Sequence, residues 1–206
     1  EADYRKAINI LQSFYNIILT DCGTGLMHSA MAGVLDMASS LVLVNTGHGK
    51  GKSTAALGLA MRAVARGLSV HMIQFMKNDP GSAEATLARA HKNLFRVDQA
   101  GRKNFVDKKN PDPGDIAAAQ NGFSIARDAI LKSSADMIIL DEINVAVDFG
   151  LISLRDLFAV LDMKPENVEI VLTGRGAPDE LKERADLVTE MREVKHYYAI
   201  GVDARE

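Results

Sequence analysis

The chain has 206 residues, 47% of them hydrophobic, enough to bury a sizeable core in one compact domain. Its formal net charge of -3 exerts no global pull toward nucleic acid or an acidic membrane. A single cysteine, Cys22, excludes an internal disulfide framework, and without about 18 uninterrupted apolar residues or a secretory signal the chain reads as soluble and cytoplasmic.

Short β-branched apolar runs alternate with longer amphipathic stretches, which predicts an α/β sandwich of three layers, a mostly parallel sheet with helices on both faces. In chain order, strands are expected at Tyr15 to Thr20, Leu41 to Asn45, Ser69 to Phe75, Leu94 to Val97, Met137 to Leu140 and Val168 to Thr173, with weaker runs near Leu187 and Tyr197. Between the second and third, Ser53 to Arg66 repeats Leu57, Ala60, Met61 and Val64 on one helical face and stops at Gly67, a residue that tolerates a left-handed helix end. Gly101 to Gly114 has no period. There Arg102, Lys103, Lys108 and Lys109 crowd around Phe105 before a Pro-Asp-Pro-Gly turn, the pattern of a mobile loop that is either a solvated charged segment or a substrate-facing lid. Asp115 is expected to cap a helix carrying Ile116, Ala119, Phe123, Ala126 and Ile130 on one face. Ser153 with Asp156 resembles a capping box opening a short helix through Leu154, Leu157, Phe158 and Leu161. Met27, Met31 and Met61 read as core packing.

The chemistry gathers where Leu41-Val42-Leu43-Val44 runs into Asn45-Thr46-Gly47-His48-Gly49-Lys50-Gly51-Lys52-Ser53-Thr54 and then into the first long helix. Glycines let backbone amides turn toward an anion, and a helix start adds unpaired N–H groups and a favourable dipole. Gly47, His48, Gly49, Lys50, Gly51, Lys52, Ser53 and Thr54 are therefore expected to hold the triphosphate of ATP as a P-loop. Lys52 would lie along the phosphates as a cation and the Ser53 hydroxyl would ligate Mg²⁺. The strict G-x-x-x-x-G-K-[ST] pattern requires glycine at position 46, where this chain has Thr46. The compact form carries an additional glycine and Lys50, which predicts a shorter or differently curved loop. His48 and His196 have no second histidine at ligand spacing, and read as a loop tip and a strand-edge side chain.

Met137-Ile138-Ile139-Leu140-Asp141-Glu142 is an apolar strand ending in two acids, which a parallel sheet would place at its carboxyl edge beside the glycine loop. Asp141 is expected to hold Mg²⁺ or its water, and Glu142 to ligate the metal or orient a reactant. Asn16-Ile17-Ile18-Leu19-Thr20-Asp21 also ends in an acid. Asp141 is preferred because it lies downstream of the loop with Glu142 beside it.

An ordered set of motifs then resembles the P-loop ATP:corrinoid adenosyltransferases from about Leu41 to the end. It comprises the compact loop, Ile73-Gln74-Phe75-Met76-Lys77, Leu140-Asp141-Glu142-Ile143-Asn144, Leu172-Thr173-Gly174-Arg175, Ala185-Asp186-Leu187-Val188-Thr189-Glu190-Met191 and Lys195-His196-Tyr197-Tyr198. The resemblance implies transfer of the 5′-deoxyadenosyl group of ATP to the cobalt of a reduced corrinoid such as cobalamin, with triphosphate leaving. It implies catalytic work by Lys52 and Glu142 and charge uptake by Lys50, Lys52 and Mg²⁺ as the bond to triphosphate breaks. It also implies Arg175 near the nucleotide, Phe105 against the corrin, a homodimer and a flavoprotein reductant. Where many members carry a Phe-Thr-Trp-like run, this chain has Asn104-Phe105-Val106-Asp107 and no tryptophan.

Residues 1-40 do not resemble the start of that family. Phe14 to Leu26, followed by a helix and the strand Leu41 to Val44, is similar instead to the second carboxylate strand and following βαβ unit of partitioning-type (MinD/ParA-like) ATPases. The expectation is one domain over residues 1-206, with 1-40 an added helix-strand-helix element joined to 41-206 at a shared strand, as in a natural or engineered chimera. Right-handed βαβ chirality permits such a joint. The competing readings are a P-loop scaffold that binds nucleotide or nothing and has no catalytic function, and an ATP-hydrolysing partitioning protein.

Overall fold

A computed structural model describes residues 41–202. The expected strand at Tyr15 to Thr20, the rival acid Asp21, Cys22, Met27 and Met31 lie outside the described residues, as does the added element as a whole.

The elements in order are β1 (Val42–Thr46), α1 (Lys52–Ala65), β2 (Val70–Phe75), α2 (Ala83–Ala90), β3 (Phe95–Ala100), α3 (Pro113–Leu131), β4 (Met137–Asp141), α4 (Ile143–Asp148), α5 (Leu154–Asp162), β5 (Glu169–Thr173), α6 (Asp179–Arg184) and β6 (Leu187–Glu190), then a 3₁₀ turn at Tyr197–Ile200. The six strands form one sheet in the order β3-β2-β4-β5-β1-β6, and every pairing is parallel. Because crossover helices cover both faces, β1, β2 and β4 are buried at every position and are apolar on both faces, interrupted only by Asn45, Thr46, His71, Gln74 and Asp141.

Two cores result. On one face Leu43, Met72, Ile139 and Val171 pack under the small residues Ala56, Ala60 and Ala63 of α1. On the other, Val44, Ile73, Phe75, Ile138, Leu140, Ile170 and Leu172 meet Phe123 and Ile130 of α3 and Leu157, Val160 and Leu161 of α5. From β1 the chain crosses through α1 toward β2, whereas from β5 it crosses through α6 in the opposite direction to β6. These opposed crossovers on opposite faces obey the right-handed rule and open a crevice at the carboxyl ends of the strands beside β1.

Several local expectations hold. Gly67 ends α1 with φ 79°, and the Ser153 hydroxyl accepts from the Asp156 N–H at 3.0 Å. Others need correction. The cap of α3 is Asp112, which accepts from the Gly114 N–H at 2.7 Å and precedes Pro113, a residue suited to the first helical position; Asp115 lies buried in the first turn instead. Ile116 is 39% exposed and falls outside the apolar stripe that Ala119, Phe123, Ala126 and Ile130 do form. Met61 and Leu57 are only half-buried at the border of the α1 face. β3 continues to Ala100 because its polar residues find partners across the sheet: Asp98 Oδ2 lies 2.7 Å from His71 Nε2, and the Gln99 amide donates to Gln74 Oε1 at 3.0 Å. The run at Tyr197 is a 3₁₀ turn rather than a strand, with His196 Nδ1 accepting the Tyr198 N–H at 3.1 Å, so His196 caps a turn instead of lying on a strand edge.

Helix α3 approaches the end of β3 at Gly122, where a Cβ would lie 2.2 Å from the Ala100 Cβ. Gly122→Ala is therefore expected to force the helix outward, lowering unfolding free energy in urea by about 1–3 kcal/mol despite the better helix propensity of alanine. An equal or higher midpoint would show that the layer can yield there.

Candidate functional site

Each strand delivers its carboxyl end to the same edge. β1 leads into the glycine loop, β2 into Met76-Lys77, β4 into Asp141-Glu142 and β5 into Gly174-Arg175.

The glycine loop starts at Gly47 with φ 95° and ends at Gly51 with φ 113°, both left-handed. It lies directly on the chain that follows β6. The Met191 N–H donates to Thr46 O and the Gly49 N–H donates to Met191 O, each at 2.8 Å. A Cβ on Gly47 would come within 2.4 Å of Met191 O, and one on Gly49 within 2.8 Å of the Arg192 carbonyl carbon. These positions therefore require glycine for close approach as well as for dihedral freedom. Thr46 does different work from the glycine of the strict pattern, since its hydroxyl accepts the Ala177 N–H at 3.2 Å and ties the β5-to-α6 connection to β1.

Lys52 is 7% exposed and curls back into the loop, donating to Gly47 O at 2.8 Å and Gly49 O at 2.7 Å. Burial, reinforced by the Arg175 charge and opposed by Glu142, lowers its pKa. Lys50 instead reaches Tyr197, its ammonium donating to the phenolic oxygen at 2.6 Å. His48 and Thr54 are exposed, at the loop tip and on the first turn of α1.

Across the crevice, Asp141 has no exposed surface. It accepts from Lys77 Nζ at 2.7 Å, Gln74 Nε2 at 3.1 Å and the Thr173 hydroxyl at 2.7 Å, and Ser53 adds a side-chain hydrogen bond. Burial alone would raise its pKa, but the Lys77 charge and these hydrogen bonds hold it below the ordinary value. Glu142 stands beside it in a left-handed conformation, φ 65° and ψ 17°, with its N–H donating to the Thr173 hydroxyl at 3.0 Å. Burial and then repulsion from Asp141 raise the Glu142 pKa against the pull of Lys77, Lys52 and Arg175. Lys52, Ser53, Asp141, Glu142 and Arg175 thus form one electrostatic cluster. Phe105 is not part of it: the ring is fully exposed on the connection between β3 and α3. Within that connection Arg102 pairs with Asp112 and Lys108 with Asp148.

Sequence reasoning assigned no chemistry to Lys77, Gln74, Thr173 or Asn144. A visible signal existed for two of them, because Gln74 and Asn144 interrupt apolar runs and are both fully buried. Asn144 donates to Gly174 O at 3.1 Å and to Asn45 O at 3.4 Å, joining β1, β5 and α4, while its Oδ1 has no partner among the described residues. Oxygen donors from Ser53 and Glu142, with Asp141 behind Ser53, suit a hard cation that takes its remaining ligands from phosphate and water. No group of three or more His, Cys, Asp or Glu among the described residues forms a metal cage by itself. No described helix is long and apolar enough to cross a membrane.

Glu142 combines a costly backbone conformation with a half-buried acid whose charge is disfavoured. Glu142→Gly is accordingly expected to hold or raise the unfolding free energy, by about 1 kcal/mol, in chemical denaturation. A clear loss of stability would mean that the carboxylate is structural.

The family described as ATP:corrinoid adenosyltransferase BtuR/CobO/CobP matches residues 38–206. A corrinoid adenosyltransferase of Sinorhizobium sp is 35% identical over 167 residues, covering 81% of this chain and 78% of the relative. The corrinoid adenosyltransferase of Escherichia coli (strain K12) is 35% identical over 165 residues, 80% of this chain and 83% of its own length. Corrinoid adenosyltransferase CobA of Salmonella typhimurium is 34% identical over 166 residues, with 80% and 83% covered. With a parallel α/β sandwich, a glycine loop and paired acids on one sheet edge, the chain belongs to the ATP:corrinoid adenosyltransferase family.

Proposed function

We propose that the chain transfers the 5′-deoxyadenosyl group of ATP to the cobalt of a reduced corrinoid and releases triphosphate. One observation carries this beyond family membership: Lys52 and Arg175 share a crevice edge with Ser53, Asp141 and Glu142, so cationic and anionic halves of one site face each other. A magnesium triphosphate needs both. In this reading the sandwich is of the P-loop NTPase type, and Gly47 to Thr54 wrap the phosphates.

The geometry supports the following roles. Lys52 exchanges its two internal carbonyl acceptors for phosphate oxygens, a trade favoured because charged acceptors bind an ammonium more strongly. The first-turn amides of α1, which no side chain caps, complete the anion cradle. Ser53 and Glu142, with Asp141 backing the Ser53 hydroxyl, form the metal side, where Mg²⁺ would neutralise charge on the leaving triphosphate. Arg175 follows the left-handed Gly174 and adds a second cation. The protein supplies no nucleophile, because cobalt attacks the ribose carbon; its contribution is to bind, orient and stabilise the departing anion. Phe105, with its ring free, is assigned to the corrinoid.

A homodimer, a flavoprotein electron donor and a cytoplasmic setting complete the proposal. Residues 1-37 precede the family match, and the likeness of residues 1-44 to a partitioning ATPase rests on sequence alone. The single domain over residues 1-206, with 1-40 as an added element, is likewise a reading of the sequence alone. One feature favours the non-catalytic alternative: the Gly49 N–H and Lys52 already have partners inside the chain.

The deciding experiment supplies ATP, Mg²⁺ and chemically reduced cobalamin and follows the absorption spectrum of the cobalt–carbon product. That product is the expected outcome. Orthophosphate release without it would indicate ATP hydrolysis, and neither signal would favour a scaffold. Lys52→Ala is expected to weaken ATP binding by about 10- to 100-fold in calorimetry; unchanged affinity would remove the site assignment.

A further inference from the structure

Lys77 is delivered by an unusually constrained turn. Met76, a non-glycine residue, has φ 56°, and its N–H donates to Ala100 O at 3.0 Å, so the end of β3 fixes the turn that leaves β2. Gly101 comes next on β3's side, and a Cβ there would lie 2.3 Å from Lys77 N and 2.4 Å from the Met76 carbonyl carbon. Only glycine lets the β3-to-α3 connection lie against the turn. From it Lys77 crosses to Asp141 at 2.7 Å. Gln74 donates to the same oxygen at 3.1 Å and is itself held by Gln99 at 3.0 Å. With Thr173 and Ser53 also donating, the acceptor capacity of this buried carboxylate is spent on the protein.

We propose that Lys77 is a positioning residue for the phosphate site: its ammonium pairs the buried charge of Asp141 so that Asp141 keeps the Ser53 hydroxyl oriented, and Gly101 transmits the placement of the β3-to-α3 connection to that ammonium. Asp141 then acts through Ser53, and Glu142 is the carboxylate left to face the substrate. The connection assigned to the corrinoid is thereby joined mechanically to the nucleotide side. The kinetic part of this inference rests on the proposed transfer activity, whereas the Lys77–Asp141 coupling does not.

The test uses the full chain and the variants Lys77→Met, Lys77→Arg, Gly101→Ala, Asp141→Asn and the double variant Lys77→Met with Asp141→Asn. In steady state, Lys77→Met is expected to lower kcat about 100-fold while KM for ATP moves less than about threefold, the split produced by a misplaced group that matters in the transition state. Lys77→Arg is expected to recover about tenfold of that loss by restoring a cation. Gly101→Ala alters no charge, yet is expected to lower kcat by at least about tenfold through displacement of the turn. In substrate-free melting, the double variant is expected to be no less stable than Lys77→Met, because removing both partners leaves no unpaired buried charge. Lys77→Met within about threefold of the parent kcat, Gly101→Ala with parental kinetics, or additive melting effects would each overturn the proposal. If Lys77→Met does not fold, Lys77→Arg and Gly101→Ala decide the kinetic arm. If the parent transfers no adenosyl group, the functional reading has failed on its own, and the melting cycle still decides the coupling.

Discussion

A carboxylate with no exposed surface at the end of a central strand must either give up its charge or be surrounded by donors, and Asp141 is surrounded. Its partners come from β2 and the turn that continues it, from β5 and from the first turn of α1, so one charge draws three separate chain segments to the end of β4. Breaking such a pair by removing one partner typically costs about 3–5 kcal/mol, comparable with a large part of a domain's net stability. The carboxyl edge of the sheet is therefore organised by electrostatics, while the apolar layers above and below hold the strands that supply the groups. Neither suffices alone. The hydrophobic layers do not specify which side chains meet, and the polar network has no affinity for a register that the sheet does not already impose.

The glycine loop follows a complementary logic. Its shape is set less by its own dihedral preferences than by the chain after β6, which runs close enough that side chains at Gly47 or Gly49 would strike the backbone of Met191 and Arg192. β6 is exposed along its whole length and adds little core. Its value lies in carrying Met191 to the loop, where the paired backbone bonds to Thr46 and Gly49 fix the curvature. Threonine at position 46 fits this arrangement, because the residue ends the strand and its hydroxyl is used by Ala177. The additional lysine is likewise not idle, with Tyr197 holding the Lys50 ammonium beside its ring, 5.1 Å from the centroid.

The sheet was legible in the sequence because buried parallel strands leave an unmistakable trace in short apolar β-branched runs, and β1, β2, β4, β5 and even the weak β6 all lie where that trace puts them. The signal failed where polarity masked strand character, as at Asp98 and Gln99, whose partners His71 and Gln74 belong to another strand and so carry no local mark. The cap of α3 was misassigned to Asp115 because Asp112 and Asp115 are equivalent in composition; only the proline at the first helical position separates them. In the site, residues with a motif of their own were named from sequence. Lys77 and Thr173 lay inside quoted motifs but received no role, since their meaning depends on cross-sheet register, with Gln74 opposite Asp141 and Asn45 opposite Thr173.

Adjacent acids at Asp141 and Glu142 illustrate how one dipeptide can serve two ends. Strand geometry sends Asp141 into the network, and continuing in the same conformation would send the next residue to the opposite face of the sheet. The left-handed backbone of Glu142 breaks that alternation, starts α4 without a strand-like step and keeps the second carboxylate at the crevice. Thr173 serves both residues, donating its hydroxyl hydrogen to Asp141 and accepting the Glu142 N–H. The strained residue is thus held by the same hydroxyl that stabilises the relaxed one. Opposite pKa displacements follow from these environments, with Asp141 surrounded by donors and Glu142 left facing a neighbouring anion. An arriving cation would relieve the second without disturbing the first, and this asymmetry makes the pair suited to binding rather than to storage of a fixed charge.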